Sequence, residues 1–268
     1  MQKYRVIEKK LGETPLPARE VVRKSTAELE NLPLTYAGRL DPMASGKLLI
    51  LIGDECKNRK LYDRIDKEYE FEVLFGFKTD TGDVLGLAER CGNLPDFSGG
   101  KIRQVIKSFV GNQKLPYPAF SSKTVDGVPL FHHALSNNLE EIEVPKVDIT
   151  IYRMSFCDMR TVSCEVLIQN ILEKINLLQI GPPDSRLGSG FRKEEIIARW
   201  QSLLETKSKQ YVIAKCRAVV SSGTYIRSLT PLIAEKLGTY GLAYSIHRTK
   251  IGRYVPLTKD FGFWTKTF

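Results

Sequence analysis

A run of five aliphatic residues, Leu48-Leu49-Ile50-Leu51-Ile52, most constrains how this chain folds. A helix needs about 20 apolar residues to cross a bilayer, so the run is no membrane span. It shows no alternation of polarity, so it reads as a strand covered on both faces. Directly before it lies a loop dense in chain breakers, PLTYAGRLDPMASG, with Pro33, Gly38, Pro42 and Gly46. Loops hung on rigid buried elements are where chemistry concentrates.

Residues 69–75 alternate apolar and acidic positions before turning apolar throughout, which suits a strand with one buried face and one covered end. Segments 147–156, 162–169 and 211–220 are rich in β-branched residues and read as further strands. Segment 17–31 reads as a helix, with Val21, Val22, Ser25 and Leu29 near one face and Arg19, Arg23 and Lys24 pointing away. Helices are expected over 101–110 and 192–207. A third holds Ile226, Leu229, Ile233 and Leu237 and stops at Gly238, with Pro231 marking its first turn. Regular βαβ alternation is absent. The fold class is therefore α+β, with a central mixed or antiparallel sheet flanked by helices. One domain over 1–268 is expected, with an insertion around 170–210 whose turn-rich 181–190 forms an exposed tip. A linker to a second domain is the alternative.

Composition narrows the function. Forty Lys and Arg against 31 Asp and Glu leave a net charge of +9, while 42% apolar and 26% charged residues are globular proportions. The positive balance invites a polyanion such as nucleic acid; a merely basic surface is the plain alternative. No apolar stretch follows the basic N-terminus, so no secretory signal and no membrane partner are expected. Five cysteines without a CxxC pair suggest neither a disulfide framework nor a zinc site, and point to a reduced, cytoplasmic setting. Three histidines make a His-rich metal centre an unpromising reading, so no metal is expected.

Four segments carry candidate chemistry. Gly38-Arg39-Leu40-Asp41-Pro42 places an acid where the following proline restricts the backbone. Gly223-Thr224-Tyr225-Ile226-Arg227 puts an arginine near a helix start, where the helix dipole favours acids, so a partner carboxylate would explain it. Lys67-Glu68-Tyr69 leads into a strand, and Thr79-Asp80-Thr81-Gly82-Asp83 closes it. Each has an ordinary reading: an Asp-Pro turn, a surface arginine, a packing aromatic, capping acids.

Together they are another matter. The stretches GRLDPMASGKLLILIGDECK (38–57), DKEYEFEVLFGFKTDTGDVLG (66–86), SSKTVDGVPLFHHA (121–134) and SSGTYIRSLTPLIAEKLG (221–238) resemble, in order and spacing, the TruB family of tRNA pseudouridine synthases. The resemblance implies the pseudouridine synthase fold with RNA-binding loops. It implies Asp41 as the catalytic aspartate, Tyr69 as the active-site tyrosine, Arg227 as the arginine paired with the aspartate, and Asp83 as a second acid bonded to that arginine. It places Lys123 and Gly127 in a loop that grips RNA, and Tyr36, Gly38, Arg39, Lys57 and Tyr225 on the substrate. The implied reaction turns a uridine of the tRNA T-arm (position 55 type) into pseudouridine. It needs no cofactor and no guide RNA, and a monomer suffices.

The residue types suit that chemistry. A carboxylate can attack the sugar or the base, or take a proton from the sugar. Tyr69 can stack on a base flipped out of the RNA. Lys9, Lys10, Arg19, Arg23, Lys24, Lys57, Arg59 and Lys60 are candidate phosphate contacts. The chain also departs from the family. Tyr36-Ala37-Gly38-Arg39 stands where His-Thr-Gly-x is usual, and the resulting GRLD string is similar to the catalytic loop of ribosomal-RNA pseudouridine synthases. The residues after Gly238 are too few for the PUA-type RNA-binding domain common in the family. Modification of ribosomal or another structured RNA is thus the runner-up, and an RNA-binding or RNA-folding protein the reading from another class.

Overall fold

A computed structural model describes residues 2–90, 94–136, 138–179, 192–204, 209–258 and 261–268. The five-aliphatic run sits inside β3 (Ala44–Ile52), beside β1 (Tyr4–Lys9) and β2 (Leu34–Ala37). Both faces of the run are covered. Leu48, Ile50 and Ile52 enter the main core, while Leu49 and Leu51 pack with Ala37 and Ile251 on the other side.

The sheet continues through β4 (Asp66–Phe75), β7 (Gly111–Pro116), β10 (Lys146–Ser163), β11 (Gln210–Val220), β12 (Gly241–Pro256) and β13 (Gly262–Thr267). Its spatial order is β1-β3-β12-β4-β11-β10-β7, with β2 beside β3 and β13 beside β12. The β3–β12 pairing is parallel and the other pairings are antiparallel, so the sheet is mixed. Two small hairpins stand apart, β5 (Phe77–Thr79) with β6 (Ala88–Arg90) and β8 (Thr124–Val125) with β9 (Val128–Pro129).

One face of the sheet is covered by α1 (Pro15–Arg23), α2 (Ala27–Glu30), α4 (Gly99–Lys107) and α8 (Ile226–Lys236), which bury Val22, Leu29, Ile102, Ile106, Leu229 and Ile233 against it. Two further short helices, α3 (Arg59–Asp63) and α5 (Leu130–Leu135), belong to connecting loops. The alternation read in β4 is borne out: Tyr69, Phe71 and Val73 enter the main core. Glu70 and Glu72 point the other way and pair with Lys215, Arg217 and Arg160.

Several local expectations are corrected. Segment 17–31 is two helices, because the chain turns at Lys24–Ser25, and Val21 is exposed. Segment 162–169 is the end of β10 followed by α6 (Cys164–Asn176). Its β-branched run hides a helical period that emerges over a longer window: Cys164, Leu167, Ile168, Ile171 and Ile175 are buried together. Ser163 caps the helix, its hydroxyl accepting from the Val166 amide. The helix expected over 192–207 is α7 (Lys193–Ser202) within the described residues, and the tip expected at 181–190 lies outside them. Pro231 lies in the second turn of α8, not the first.

Helices α6 and α7 cover the other face of the sheet. They pack on Phe77, Val84, Leu85 and Tyr211 around the fully buried Trp200, whose Nε1 donates to the Val84 carbonyl at 3.0 Å. Among the described residues, no helix is long and apolar enough to cross a membrane. Trp200→Ala should lower unfolding free energy by about 3–5 kcal/mol in denaturant titration. Val21→Ala, at an exposed position, should stay within about 0.5 kcal/mol of the parent.

Candidate active site

Arg227 is the second residue of α8, and its side chain is only 4% exposed. A guanidinium cannot shed its charge and must therefore be matched where it is buried. Its Nε donates to Asp41 Oδ2 at 2.8 Å and lies 3.6 Å from Asp83 Oδ2. Its Nη1 donates to the Thr81 carbonyl at 2.7 Å and its Nη2 to the Phe120 carbonyl at 3.1 Å. Burial works against the charge, but the carboxylates of Asp41 and Asp83 outweigh it and hold the Arg227 pKa above its ordinary value. The two acids also resolve the oddity of an arginine at a helix start, because they supply the negative charge favoured there.

Asp83 is buried, and its Oδ1 accepts from Thr81 Oγ1 at 2.8 Å and from the Leu85 amide at 2.9 Å. Burial pushes its carboxyl above the usual range, with the Asp41 charge adding and Arg227 opposing. Asp41 lies in the loop between β2 and β3, and its side chain keeps 28% exposure. It faces a cavity of ≈ 520 Å³, whose wall also holds Tyr36, Gly38, Arg39, Tyr69, Asp83, Tyr225 and Arg227. Chain segments far apart in sequence therefore meet in one concavity, the usual form of a small-substrate site.

Tyr69 reaches the cavity from β4 and is 7% exposed. Tyr225, the residue before α8, stands edge-on to Tyr117 with ring centroids 5.8 Å apart. Burial, with the Asp41 charge adding to it, pushes its phenol pKa up. Arg39 donates to Ser122 Oγ and, at 3.3 Å, to Tyr36 Oη, while the Arg59 guanidinium lies 5.3 Å from the Tyr36 ring centroid. Lys123 lies outside the cavity wall, with its Nζ 5.4 Å from the Tyr117 ring centroid. It precedes the β8–β9 hairpin, which turns on Asp126 and Gly127, both at positive φ.

One of the basic positions, Lys9, sits differently from expectation. Lys57 is exposed on a 3₁₀ turn, paired with Asp54 at 2.6 Å and away from the cavity wall. Lys9 is fully buried, its Nζ donating to the Lys10 and Glu13 carbonyls, so it is not a surface phosphate contact. Burial lowers its pKa to about 8.

Sequence reasoning also missed what holds the Asp41 loop. Arg248 of β12 is 1% exposed, and its guanidinium donates to the carbonyls of Lys47 at 2.7 Å and Gly38 at 2.8 Å. Gly38 has φ +69, a left-handed conformation that glycine adopts without strain, and its amide donates to Asp63 Oδ1 at 2.8 Å. Below it lies buried Lys67, bonded to the Asp63 and Ile65 carbonyls, with its pKa lowered to about 8 by burial and by Arg248. Lys67 had a signal, since it shares a strand face with Tyr69 at a spacing of two. Arg248 had none, because the carbonyls it bonds lie some two hundred positions away in sequence.

Asp83 gives a pH signature. Its folded pKa is raised, so between the ordinary value of 3.8 and the raised one the folded state keeps a proton that the unfolded state has lost. Stability must fall as pH rises through that window. The difference in unfolding free energy between wild type and Asp83→Asn should therefore decline with rising pH there and then level off. A difference that grows with pH contradicts this.

Comparison with known proteins places the chain in a family. Residues 28–171 match the model described as TruB family pseudouridylate synthase (N terminal domain). The protein named tRNA pseudouridine synthase B of Fusobacterium nucleatum is 30% identical over 237 residues, which are 88% of this chain and 63% of that protein. The one from Caldicellulosiruptor saccharolyticus is 28% identical over 247 residues, 92% of this chain and 66% of that protein. The chain thus spans less than two thirds of the length of these relatives. A crystal structure described as a Cbf5-Nop10-Gar1 complex shares the fold, with a TM-score of 0.53 at 17% identity over 93% of this chain and 49% of that one. With more than half of its length matching the family model, the chain belongs to the TruB family of pseudouridylate synthases.

Proposed function

We propose that this chain isomerises a uridine of the tRNA T-arm to pseudouridine, with Asp41 as the reacting carboxylate. The observation that carries the reading is the ion pair between Asp41 and buried Arg227 at the wall of a cavity that also holds Tyr69. Binding RNA alone calls for surface cations and aromatics; it has no use for an acid fixed against a buried arginine. The names of the relatives, tRNA pseudouridine synthase B, favour tRNA as the substrate.

The isomerisation breaks the bond between base N1 and sugar C1′, turns the base, and bonds C1′ to C5. The C5 proton leaves and N1 gains one, so no electrons and no external group are exchanged. Asp41 starts this by attacking the sugar or the base, or by taking a proton from the sugar. Arg227 holds the carboxylate fixed in direction, the preorganisation that favours charge development at a reacting centre. Tyr69 offers a ring face to the flipped base, which repays part of the few kcal/mol of unstacking. Packing against the base is the main role of Tyr69. Net charge +9 draws the RNA backbone to the cavity mouth. Tyr36, held under Arg59, stands where the family's histidine would fill the space left by the flipped base. The chain works as one catalytic unit, as a monomer and without a guide RNA.

Asp41→Asn should abolish pseudouridine formation and leave RNA affinity near wild type, as read by tritium release and filter binding. Turnover at the normal rate in this variant sinks the mechanism. The wild-type chain alone should convert a T-arm stem-loop transcript; conversion of a ribosomal fragment with none of the stem-loop would make ribosomal RNA the substrate instead.

A further inference from the structure

Strands β10 and β11 are antiparallel neighbours, paired from Ser163 with Gln210 onward. Two residues suffice to join such a pair, yet here the chain makes the α6–α7 excursion. Side chains at the start and end of α7 converge on the loop between β5 and β6 and on the first residue of β6. Trp200 Nε1 donates to the Val84 carbonyl at 3.0 Å, Arg199 Nε to the Ala88 carbonyl at 2.7 Å, and Arg192 Nη2 to Asp80 Oδ2 at 2.7 Å. That loop carries Thr81, whose carbonyl accepts from Arg227, and Asp83, its second acid.

Arg192 reaches further than the other two. It lines the cavity, and its guanidinium lies 4.9 Å from the centroid of the Phe120 ring. The Phe120 carbonyl takes the remaining Nη2 bond of Arg227. One side chain from the excursion therefore touches both segments whose carbonyls fix the two Nη groups of Arg227. Its backbone sits at φ 55, ψ 31, a left-handed conformation that is uncommon outside glycine and asparagine and is kept only where the surroundings impose it.

We propose that Arg192 is a positioning residue for the uridine isomerisation, holding the Thr81 and Phe120 segments so that Arg227 presents Asp41 to the substrate. This rests on the reading of Asp41 and Arg227 given above. Arg192 acts through Asp80 and Phe120 and does not grip the RNA. Lysine at this position would keep the charge beside Asp80 but lose the planar face over the ring.

The full chain with Arg192→Ala should lose about ten- to hundredfold in kcat on the stem-loop, the usual cost of a small misplacement at a reacting centre. KM and RNA affinity should hold, and Arg192→Lys should recover part of the loss. Phe120→Leu keeps the carbonyl but removes the ring, so adding it to Arg192→Ala should cost little more than either change alone. A readout free of turnover is solvent exchange of the Arg227 Nε proton, followed by NMR in the absence of RNA, which should accelerate in Arg192→Ala. Unchanged kcat, a loss confined to KM, or unchanged exchange overturns the positioning role. A wild-type chain that converts no RNA overturns the reading of function, and the exchange rate then decides on Arg192 by itself.

Discussion

A permanently charged guanidinium removed from water is the constraint around which this molecule is organised. Arg227 is tolerable at 4% exposure only because two carboxylates and two backbone carbonyls surround it. Those partners come from three different segments: the loop before β3, the loop after β5 and the chain after β7. Each must arrive for the charge to be satisfied, so the assembly of the site is tied to the assembly of the sheet. Close approach supports this. Gly82 has φ +76, and a Cβ there would lie 2.5 Å from the Arg227 carbonyl, so the Asp83 turn can seat against α8 only without a side chain. Pro231 has no amide to offer that same carbonyl, which stands in the position its helical bond would take.

A second buried arginine serves the other half of the site. Arg248 holds the backbone of the Asp41 loop from β12, the strand running parallel to β3, so the acid is fixed from behind as well as from the side. The floor of the cavity is thus rigid sheet, while its mouth is formed by loops tied together through Arg39, Ser122, Arg192 and Phe120.

What the sequence disclosed, it disclosed through local regularity. The unbroken aliphatic run located β3, period-two alternation located β4, and apolar spacing located α8. The Asp-Pro turn and the Gly-Thr-Tyr-Ile-Arg segment stood out because each combined backbone restriction with a charge that lacked a local partner. Failures followed the same logic. Residues 162–169 misled because Val162, Val166, Leu167 and Ile168 suit a strand over a short window, and the helical spacing needs Ile171 and Ile175 to show. Segment 17–31 misled because a turn at Lys24 costs a polar stretch nothing that composition reveals. Lys9, Arg248 and Arg192 carry no pattern at all: their roles depend on carbonyls, acids and rings that only tertiary structure brings near. A lysine that looks like a surface charge is in fact a buried strut.

Tyr36 and Arg39 show how the departures from the family pattern are accommodated. They bond to each other and are held between Arg59 and Ser122, so a tyrosine and an arginine form one supported unit at the cavity wall. The most direct test of the account is a double-mutant cycle on the ion pair itself, with Asp41→Asn, Arg227→Gln and the double variant compared in single-turnover conversion of a T-arm stem-loop. If the two side chains act as one device, the double variant is no slower than the worse single variant. Additive losses would show that Asp41 and Arg227 contribute separately, and would contradict the claim that their contact is the catalytic unit.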